Sequence, residues 1–371
     1  MMKSTTGFIN RHKILIFSLN LCLHLFFSVI RYLMRTKIAG TGNVVVISLH
    51  KIGDTVFTIP AIKKIQKIES NEITIVCFPE SIPIYRIDLS SVNYCKIEHG
   101  HFSFNGRFAK RKARKLLEGT KPEIIYDITG VITSATLIFN SRARKIIGMN
   151  SELFKSIYDY YSPVRKAPHL IEMYLDAVHS KEEFENNRQI LNFNNRNYVM
   201  DRVLIHPFAG WQAKEWNLNK FIQLALRLKS DYNVCFLAPR QQISSDIIKE
   251  FKYNDLSFEQ PESIQELIRQ ISNSSVFVGN DSGPVYIASL LGKHTFTIFG
   301  PTNPDYSASI GDHHEYINIT LKCSPSGNNQ YCFTNAGRRG CPAFQCMDLL
   351  GVDEVYNKLV TFLDDNGIEK N

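Results

Sequence analysis

The sequence lacks several of the patterns by which a function is most readily recognised. No Gly-x-Gly-x-x-Gly follows the first apolar run, which disfavours a Rossmann dehydrogenase. There is no basic stripe with interleaved aromatic residues, so nucleic acid is not an expected partner despite a net charge of +8. The eight cysteines include no Cys-x-x-Cys pair, and none of them demands an oxidising compartment.

What is present describes an ordinary folded protein of more than one domain. The chain has 371 residues, of which 44% are hydrophobic and 21% charged. That length exceeds a comfortable single hydrophobic core, so two domains are expected. The positive net charge suits anionic partners such as phosphates or an acidic membrane surface.

Residues 14–30, ILIFSLNLCLHLFFSVI, form the longest apolar run, and basic residues flank it. The run is slightly short of the roughly 20 apolar residues that a spanning helix needs. Wound as a helix, it places these polar residues in one narrow sector: Lys13, Asn20, His24, Ser28, Arg31 and Arg35. A polar stripe on a wide apolar face predicts a helix lying in the membrane interface. A single span is the alternative; a signal peptide is disfavoured because no small-residue cleavage site follows.

From residue 41 onward, short apolar runs alternate with segments of helical period, which predicts an α/β fold with mostly parallel sheets. A polar, Asn-rich segment at 181–199 divides this pattern and is predicted to link two Rossmann-like domains. Two such domains facing each other across a cleft describe the GT-B glycosyltransferase architecture. We expect a membrane-associated helix at 1–40, an acceptor-side domain at 41–185 and a nucleotide-sugar domain at 186–371. The strand predictions are 44–49, 73–78, 123–129, 145–149, 202–208, 233–239, 275–280 and 294–300.

The stretch HKIGDTVFTIP, residues 50–60, places Asp54 where the first strand gives way to a helix. Asp54 is predicted either to cap that helix or to face a cleft and remove a proton. Pro60 lacks a backbone donor and is predicted to start or kink the helix.

A second motif lies in SVFVGNDSGPVYIASLLGKHTFTIFGPTNP, residues 275–304. Asp281, Ser282 and Gly283 stand between a strand and a helix, and backbone N–H groups at a helix start favour an anion such as a diphosphate. Asp281 would repel that anion, so it is predicted to bond sugar hydroxyls. The neighbouring loop, with Gly300 and Thr302, is predicted to complete the site; a merely capped helix is the alternative.

The loop in LIHPFAGWQAKEWNLNKF, residues 204–221, carries Gly210 and Lys214. A lysine there could neutralise a leaving diphosphate in place of a metal ion. The chain contains no Asp-x-Asp, the motif expected if Mg²⁺ or Mn²⁺ bridged a nucleotide sugar, which favours the cationic route. A solvated surface lysine is the alternative.

These three segments, with EIIYDITGVITSATLIFNSRARKIIG, resemble the glycosyltransferase family 9 enzymes, the heptosyltransferases. The resemblance implies an inverting, metal-independent GT-B enzyme that needs no cofactor beyond an ADP-heptose donor and acts on lipopolysaccharide core. It implies that Asp54 is the general base, that Lys214 meets the phosphates, and that Asp281, Ser282 and Gly283 bind the donor. The acceptor would then be a lipid A-core or other lipid-linked glycan, and the enzyme would work at the cytoplasmic face of the inner membrane.

The sequence departs from the family pattern at two places. Tyr286 stands where the family commonly has His three residues after the donor-site glycine. Gln241 and Gln242 stand where the family often has a Gly-rich turn ending in Glu that is thought to bind ribose, and either could still hydrogen-bond hydroxyls of the donor. A donor other than ADP-heptose, such as a UDP or GDP sugar, therefore stays open. So does a catalytically silent nucleotide- or glycan-binding module.

Four cysteines near the C-terminus have the spacing C-x8-C-x8-C-x4-C. Cys323, Cys332, Cys341 and Cys346 could form a structural zinc site, because four thiolates suit that metal. Separate thiols in a long loop are the alternative.

Overall fold

The computed structural model describes the helices and strands of both expected domains. Its described residues are 3–35, 42–69, 72–104, 107–164, 169–178, 202–239, 243–327, 329–332, 341 and 344–370. The predicted linker at 181–199, and with it the domain boundary at 185, lies outside these residues. So do Gln241 and Gln242.

The helices are α1 (Lys3–Arg35), α2 (Ile52–Glu69), α3 (Ile82–Asp88), α4 (Arg111–Gly119), α5 (Ile132–Ile138), α6 (Leu170–Ala177), α7 (Leu218–Leu228), α8 (Ser245–Tyr253), α9 (Ile264–Ser272), α10 (Gly283–Leu290), α11 (Pro304–Ser307), α12 (Gln345–Asp348) and α13 (Val352–Asp365). The strands of the first half are β1 (Val44–Ile47), β2 (Ile73–Cys77), β3 (Val92–Lys96), β4 (Phe102–Ser103), β5 (Phe108–Ala109), β6 (Ile124–Asp127), β7 (Lys145–Asn150) and β8 (Tyr160–Pro163). Those of the second half are β9 (Arg202–His206), β10 (Asn233–Leu237), β11 (Ser257–Glu259), β12 (Val276–Asn280), β13 (His294–Ile298) and β14 (His314–Ile317).

Two parallel sheets of the same topology organise the described residues. The first has the order β3-β2-β1-β6-β7-β8 and the second the order β11-β10-β9-β12-β13-β14. Their central strands are buried along their whole length, which is why they read as unbroken apolar runs rather than alternating ones. The α/β fold with parallel sheets expected from the sequence is confirmed.

Each sheet changes the direction of its strand order once, between β1 and β6 in the first and between β9 and β12 in the second. In open α/β sheets a crevice forms at such a switch, outside the carboxyl ends of the strands. Asp54 follows β1, Lys214 follows β9, and Asp281 follows β12 directly. The topology thus brings the three predicted site residues to the two switch points.

Helix α2 begins earlier than its sequence suggested. It starts at Ile52 and contains Pro60 in its interior, so Pro60 does not start the helix, and the alternative that it kinks the helix stays a prediction. Asp54 lies in the first helical turn, where its negative charge interacts favourably with the positive end of the helix dipole.

Helix α1 packs against the first domain with part of its polar stripe turned inward. His24 bonds Ser156 over 2.7 Å, and Phe27 is buried against Phe139 and Phe154. The stripe therefore faces protein as well as water. The opposite face is apolar and exposed: Leu21, Leu25, Phe26, Val29, Tyr32 and Leu33. Across the described residues, no helix has an apolar stretch sufficient to cross a membrane.

Arg31 fixes α1 to the domain through a buried set of hydrogen bonds. Its guanidinium donates to Asp159 over 2.9 Å and to the backbone oxygens of Ser141 and Ala143. Asp159 also accepts from the backbone N–H of Ile146 over 2.8 Å. Because a buried guanidinium without partners would be costly, these bonds define both the position and the rotation of the helix.

The two domains meet through one continuous apolar core rather than a loose hinge. Helices α2, α3 and α6 of the first domain share it with α10 of the second. Phe57 and Tyr286 pack across the boundary with ring centroids 4.6 Å apart. His169 accepts from the backbone of Ile171 through Nδ1, so its Nε2–H donates to the Ala308 oxygen, 3.0 Å away in the second domain.

Candidate active site

A cavity of about 520 Å³ opens between the two domains at the carboxyl edges of both sheets. Its wall includes Asp54 from the first domain, and Lys214 and Asp281 from the second. The remaining lining residues are Lys51, Gly53, Phe57, Leu170, Gly210, Trp211, Ser282, Gly283, Tyr286, Thr302, Tyr306, Ser307, Gln330 and Tyr331. Both domains therefore contribute to one site.

The cavity depends on an unusually close approach of two backbones. The first turn of α2 lies against the first turn of α10, where Gly53 faces Gly283. A Cβ atom on Gly283 would lie 3.0 Å from Ile52 Cγ2 and 3.2 Å from the Gly53 nitrogen. Gly283 therefore leaves no comfortable room for a side chain, whereas a Cβ on Gly53 would lie 3.4 Å from Gly283 Cα, at ordinary contact distance.

Burial and three nearby charges act on Asp54. Desolvation raises the pKa of the Asp54 carboxyl above its ordinary 3.8; the positive charge of Lys214 lowers it, the negative charge of Asp281 raises it, and the positive charge of Lys51 lowers it. No side-chain hydrogen bond holds this carboxylate among the described residues, so its oxygens stay available within the cavity. A carboxylate in this state suits proton abstraction.

Lys214 is held by a loop that buried polar bonds tie to β12. Asn280 accepts from the backbone of Trp216 over 3.0 Å and donates to the Pro207 oxygen over 2.8 Å. Glu215 accepts from the backbone of Ala209 over 2.9 Å. The buried Trp216 indole donates to the Leu350 oxygen over 2.9 Å. These contacts place Lys214 at the cavity rather than in bulk solvent.

Asp281 is the hub of the second domain's contribution. One of its oxygens accepts from Lys214 Nζ and from Thr302 Oγ1, each over 2.6 Å. Its other oxygen accepts from the Tyr286 hydroxyl. The protein therefore occupies both oxygens of a side chain that is only 3% exposed. Binding of sugar hydroxyls by Asp281 stays a prediction, and its evident role is to position three cavity residues.

Ser282 and the start of α10 offer unoccupied donors. The Ser282 hydroxyl is buried without a hydrogen-bond partner among the described residues, and it makes no capping bond to its own helix. A buried polar group left in this way favours a ligand that supplies the missing bond. Together with the positive end of α10, it makes this corner favourable for an anion.

Most of the predicted donor-site residues come together, and one does not. Gly210, Thr302 and Tyr286 line the cavity as expected. Gly300 is not among the lining residues: a Cβ there would lie 2.7 Å from the sulfur of Met347, so the glycine packs closely on that side chain, and its assignment to the donor site stays a prediction.

Sequence analysis missed the aromatic part of the wall. Tyr306 and Tyr331 line the cavity, and Trp211 packs edge-on against Tyr331 at 5.9 Å. Tyr331 is next to Cys332 in the C-terminal loop, which returns to pair with Thr302. The only signal in the sequence was the aromatic content of these loops, which does not distinguish a binding wall from ordinary packing.

The C-terminal cysteines lie behind this wall. Cys332 is buried beside Ala213, and burial raises the pKa of the Cys346 thiol to about 11, with the neighbouring cysteines adding to the effect. In the part of the chain that the structure describes, no group of three or more His, Cys, Asp or Glu side chains is arranged to hold a metal ion. The described arrangement therefore does not supply the zinc site considered for Cys323, Cys332, Cys341 and Cys346.

The Asp281 hub predicts a stability difference between two matched tyrosine variants. Tyr286→Phe removes a hydrogen bond to a buried carboxylate, so the free energy of unfolding should fall by about 1.5–3 kcal/mol. Tyr306→Phe removes a hydroxyl from the same cavity that makes no hydrogen bond to the described residues, so it should change little. Urea denaturation of both variants measures the difference. Equal stabilities would contradict the bonding at Asp281.

Comparison with known proteins places the chain among sugar-transferring enzymes. The family model for glycosyltransferase family 9 (heptosyltransferase) matches residues 110–336, more than half of the chain. A lipooligosaccharide heptosyltransferase 2 of Campylobacter jejuni subsp. jejuni serotype O:2 is 23% identical over 129 residues. That match covers 33% of this chain and only 40% of the relative.

Solved structures share the fold over nearly the whole chain. The family 9 glycosyl transferase of Veillonella parvula DSM 2008 aligns with a TM-score of 0.68 at 16% identity, covering 87% of this chain and 97% of the other. The E. coli ADP-heptose LPS heptosyltransferase II aligns with a TM-score of 0.65 at 15% identity, covering 88% and 99%.

The α/β fold with two parallel sheets is thus shared with solved heptosyltransferase structures. Asp54, Lys214 and Asp281, which lie in the segments that resemble the family, line its cavity. The protein belongs to glycosyltransferase family 9.

Proposed function

We propose that this protein is an inverting, metal-independent glycosyltransferase that moves a heptose or related sugar from a nucleotide diphosphate to a lipid-linked glycan. The observation that carries the proposal is the single cavity in which Asp54 of one domain faces Lys214 and Asp281 of the other. One residue can take a proton and another can receive a departing negative charge. A single displacement needs only these two functions.

Asp54 acts as the general base. It removes the proton of the acceptor hydroxyl as the oxygen forms its bond to the anomeric carbon. The bond from that carbon to the diphosphate breaks on the opposite side, which inverts the configuration. The raised pKa of the Asp54 carboxyl makes it a better proton acceptor than an ordinary solvated aspartate.

Lys214 and the start of α10 receive the leaving diphosphate. The Lys214 ammonium has three N–H donors. One donates to Asp281, so two remain for phosphate oxygens. The Ser282 hydroxyl, buried and without a partner among the described residues, supplies another donor. These groups can balance the developing charge without a metal ion, so transfer should continue in excess chelator.

The substrate class is proposed from relatives. One structural relative is an ADP-heptose LPS heptosyltransferase, and a sequence relative is a lipooligosaccharide heptosyltransferase. We therefore propose ADP-heptose as the donor and lipopolysaccharide core as the acceptor, at the cytoplasmic face of the inner membrane. Tyr286 stands where the family commonly has histidine, which leaves other donors open, so the same assay should include UDP- and GDP-sugars.

Asp54→Asn should abolish transfer while sparing donor binding. Loss of the base lowers kcat by about 100-fold or more. ADP should bind as tightly as before or more tightly, because a negative charge leaves the diphosphate site. Mass analysis of core glycolipid incubated with the donor measures transfer, and calorimetry measures ADP binding.

Asp305→Asn is the matched control. Asp305 is an exposed acid in the first turn of α11, near the cavity but outside its wall, so its loss should not change either measurement. Full activity of Asp54→Asn would contradict the assignment of Asp54 as the general base. Wild-type protein that binds nucleotide but transfers no sugar from any donor would favour the silent binding module.

Asp54→Asn should be more stable than the wild type at neutral pH but not at acidic pH. The folded carboxyl keeps its proton to a higher pH than the unfolded one, whose pKa is near 3.8. Ionisation therefore costs stability as the pH rises from that value through the folded pKa. Thermal unfolding should give similar Tm values for the two proteins at or below pH 3.8, and a higher Tm for Asp54→Asn at neutral pH. A lower Tm at neutral pH would contradict the raised pKa.

We propose that α1 holds the enzyme at the membrane in a monotopic manner. Its exposed face carries Leu25, Phe26 and Tyr32, which are 60%, 52% and 72% exposed. So large an apolar surface on an outward-facing helix suits the headgroup boundary of a bilayer. The acceptor, being lipid-linked, would be reached from that position.

Val29→Glu should weaken membrane binding by about tenfold or more, because the side chain lies in the middle of the exposed apolar face. Ser28→Glu adds the same charge at the preceding position, within the polar stripe, and should have a much smaller effect. Co-sedimentation of both full-length variants with phosphatidylcholine vesicles measures the difference. Equal losses would mean that charge alone, and not the apolar face, is responsible.

A further inference from the structure

The short hairpin formed by β4 and β5 exposes two aromatic rings. Phe104 is 76% exposed and Phe108 is 41% exposed, and the rings contact each other edge to face at 5.3 Å. Neither belongs to the apolar cores of the first domain. Two such rings in water at the end of a hairpin are unfavourable unless a partner covers them.

The same segment is strongly basic. Between residues 102 and 115 the chain carries no acidic residue, and five cations are exposed: Arg107, Lys110, Arg111, Lys112 and Lys115. We call these five residues, with Phe104 and Phe108, the hairpin patch. Aromatic rings surrounded by lysine and arginine match the boundary of an anionic bilayer, where rings enter the interface and cations meet phosphates.

The hairpin patch is built onto the helical layer that also carries α1. Thr136 of α5 bonds the hairpin twice, accepting from the backbone of Ala109 and donating to the Arg107 oxygen, both over 3.1 Å. The ring of Phe139, which follows α5, is contacted by Phe27 of α1 and is covered by the guanidinium of Arg114 at 5.3 Å. Helices α1 and α4 therefore flank α5 on the same side of the sheet.

The position of the hairpin relates this layer to the cavity. It follows β3 and so lies at the carboxyl edge of the first sheet, the edge at which the cavity opens. The core on this side of the sheet contains α1, α4 and α5, whereas the second domain packs on the other side. A membrane in contact with this layer would leave the second domain free.

We propose that the hairpin patch is a second membrane-contacting element, which binds anionic lipid headgroups and presents the acceptor side of the cavity to the bilayer. It adds selectivity for anionic lipid to the unselective apolar contact of α1. This inference rests on the proposed position of the first domain at a membrane, but not on sugar transfer.

Arg111→Gln/Lys112→Gln tests the proposal in the full-length protein. Binding to vesicles of phosphatidylcholine mixed with phosphatidylglycerol should fall by roughly tenfold or more, since each basic residue near an anionic surface contributes appreciably. Binding to phosphatidylcholine alone should not change. Lys249→Gln/Lys252→Gln removes two exposed charges from α8 of the other domain and is the matched control. Unchanged affinity for anionic vesicles, or an equal loss in the control, would overturn the proposal.

Phe104→Ser/Phe108→Ser separates the rings from the charges. It should weaken binding to anionic vesicles at high salt, where the cations are screened. Unchanged binding there would overturn insertion of the rings.

A transfer assay identifies which anion is recognised. The Arg111→Gln/Lys112→Gln protein should act normally on a delipidated, water-soluble acceptor and poorly on the acceptor embedded in anionic vesicles. Equal losses on both would show that the cations bind acceptor phosphates instead of bilayer headgroups, which contradicts the proposal. If the wild type transfers no sugar in either format, the proposed function fails while the vesicle measurements still decide the membrane contact.

Discussion

The contact between Gly53 and Gly283 is the constraint on which the rest of the structure depends. Two helix starts from different domains touch there without side chains between them. Because Asp54 follows Gly53 in α2 and Asp281 lies two residues before Gly283, the contact brings a carboxylate and an ion pair to one cavity. A side chain at Gly283 would press on Ile52 and the Gly53 backbone and so separate the groups whose charges influence each other.

Asp281 shows how buried charge is used in this cavity. Its carboxylate holds Lys214 and Thr302 on one oxygen and Tyr286 on the other. An ion pair at this depth contributes little net stability by itself, but it sets the direction of the side chains that face the cavity. Tyr286 extends the network to Phe57 of the other domain, so the geometry around Asp281 and the contact between the domains are linked.

The two sides of the first domain's sheet make different contacts. One side of its sheet is covered by the helices that meet the second domain, and the other by α1, α4 and α5. The polar side chains His24 and Arg31 turn toward the domain, where Ser156 and Asp159 satisfy them. The rotation of the helix that brings these polar side chains to the domain also turns the apolar face of α1 outward, and this face is therefore exposed.

The sequence by itself determined the α/β class, the buried central strands and the three segments that carry Asp54, Lys214 and Asp281, because apolar runs and Gly-containing corners are local patterns. It did not reveal the short edge strands β3, β8, β11 and β14, whose mixed composition is typical of strands with one neighbour. The tertiary structure alone decided that Gly300 packs on Met347, that Tyr286 bonds Asp281 and that Tyr306 and Tyr331 line the cavity. These outcomes depend on contacts between residues far apart in the chain, and no local pattern records which distant side chain will occupy a given space.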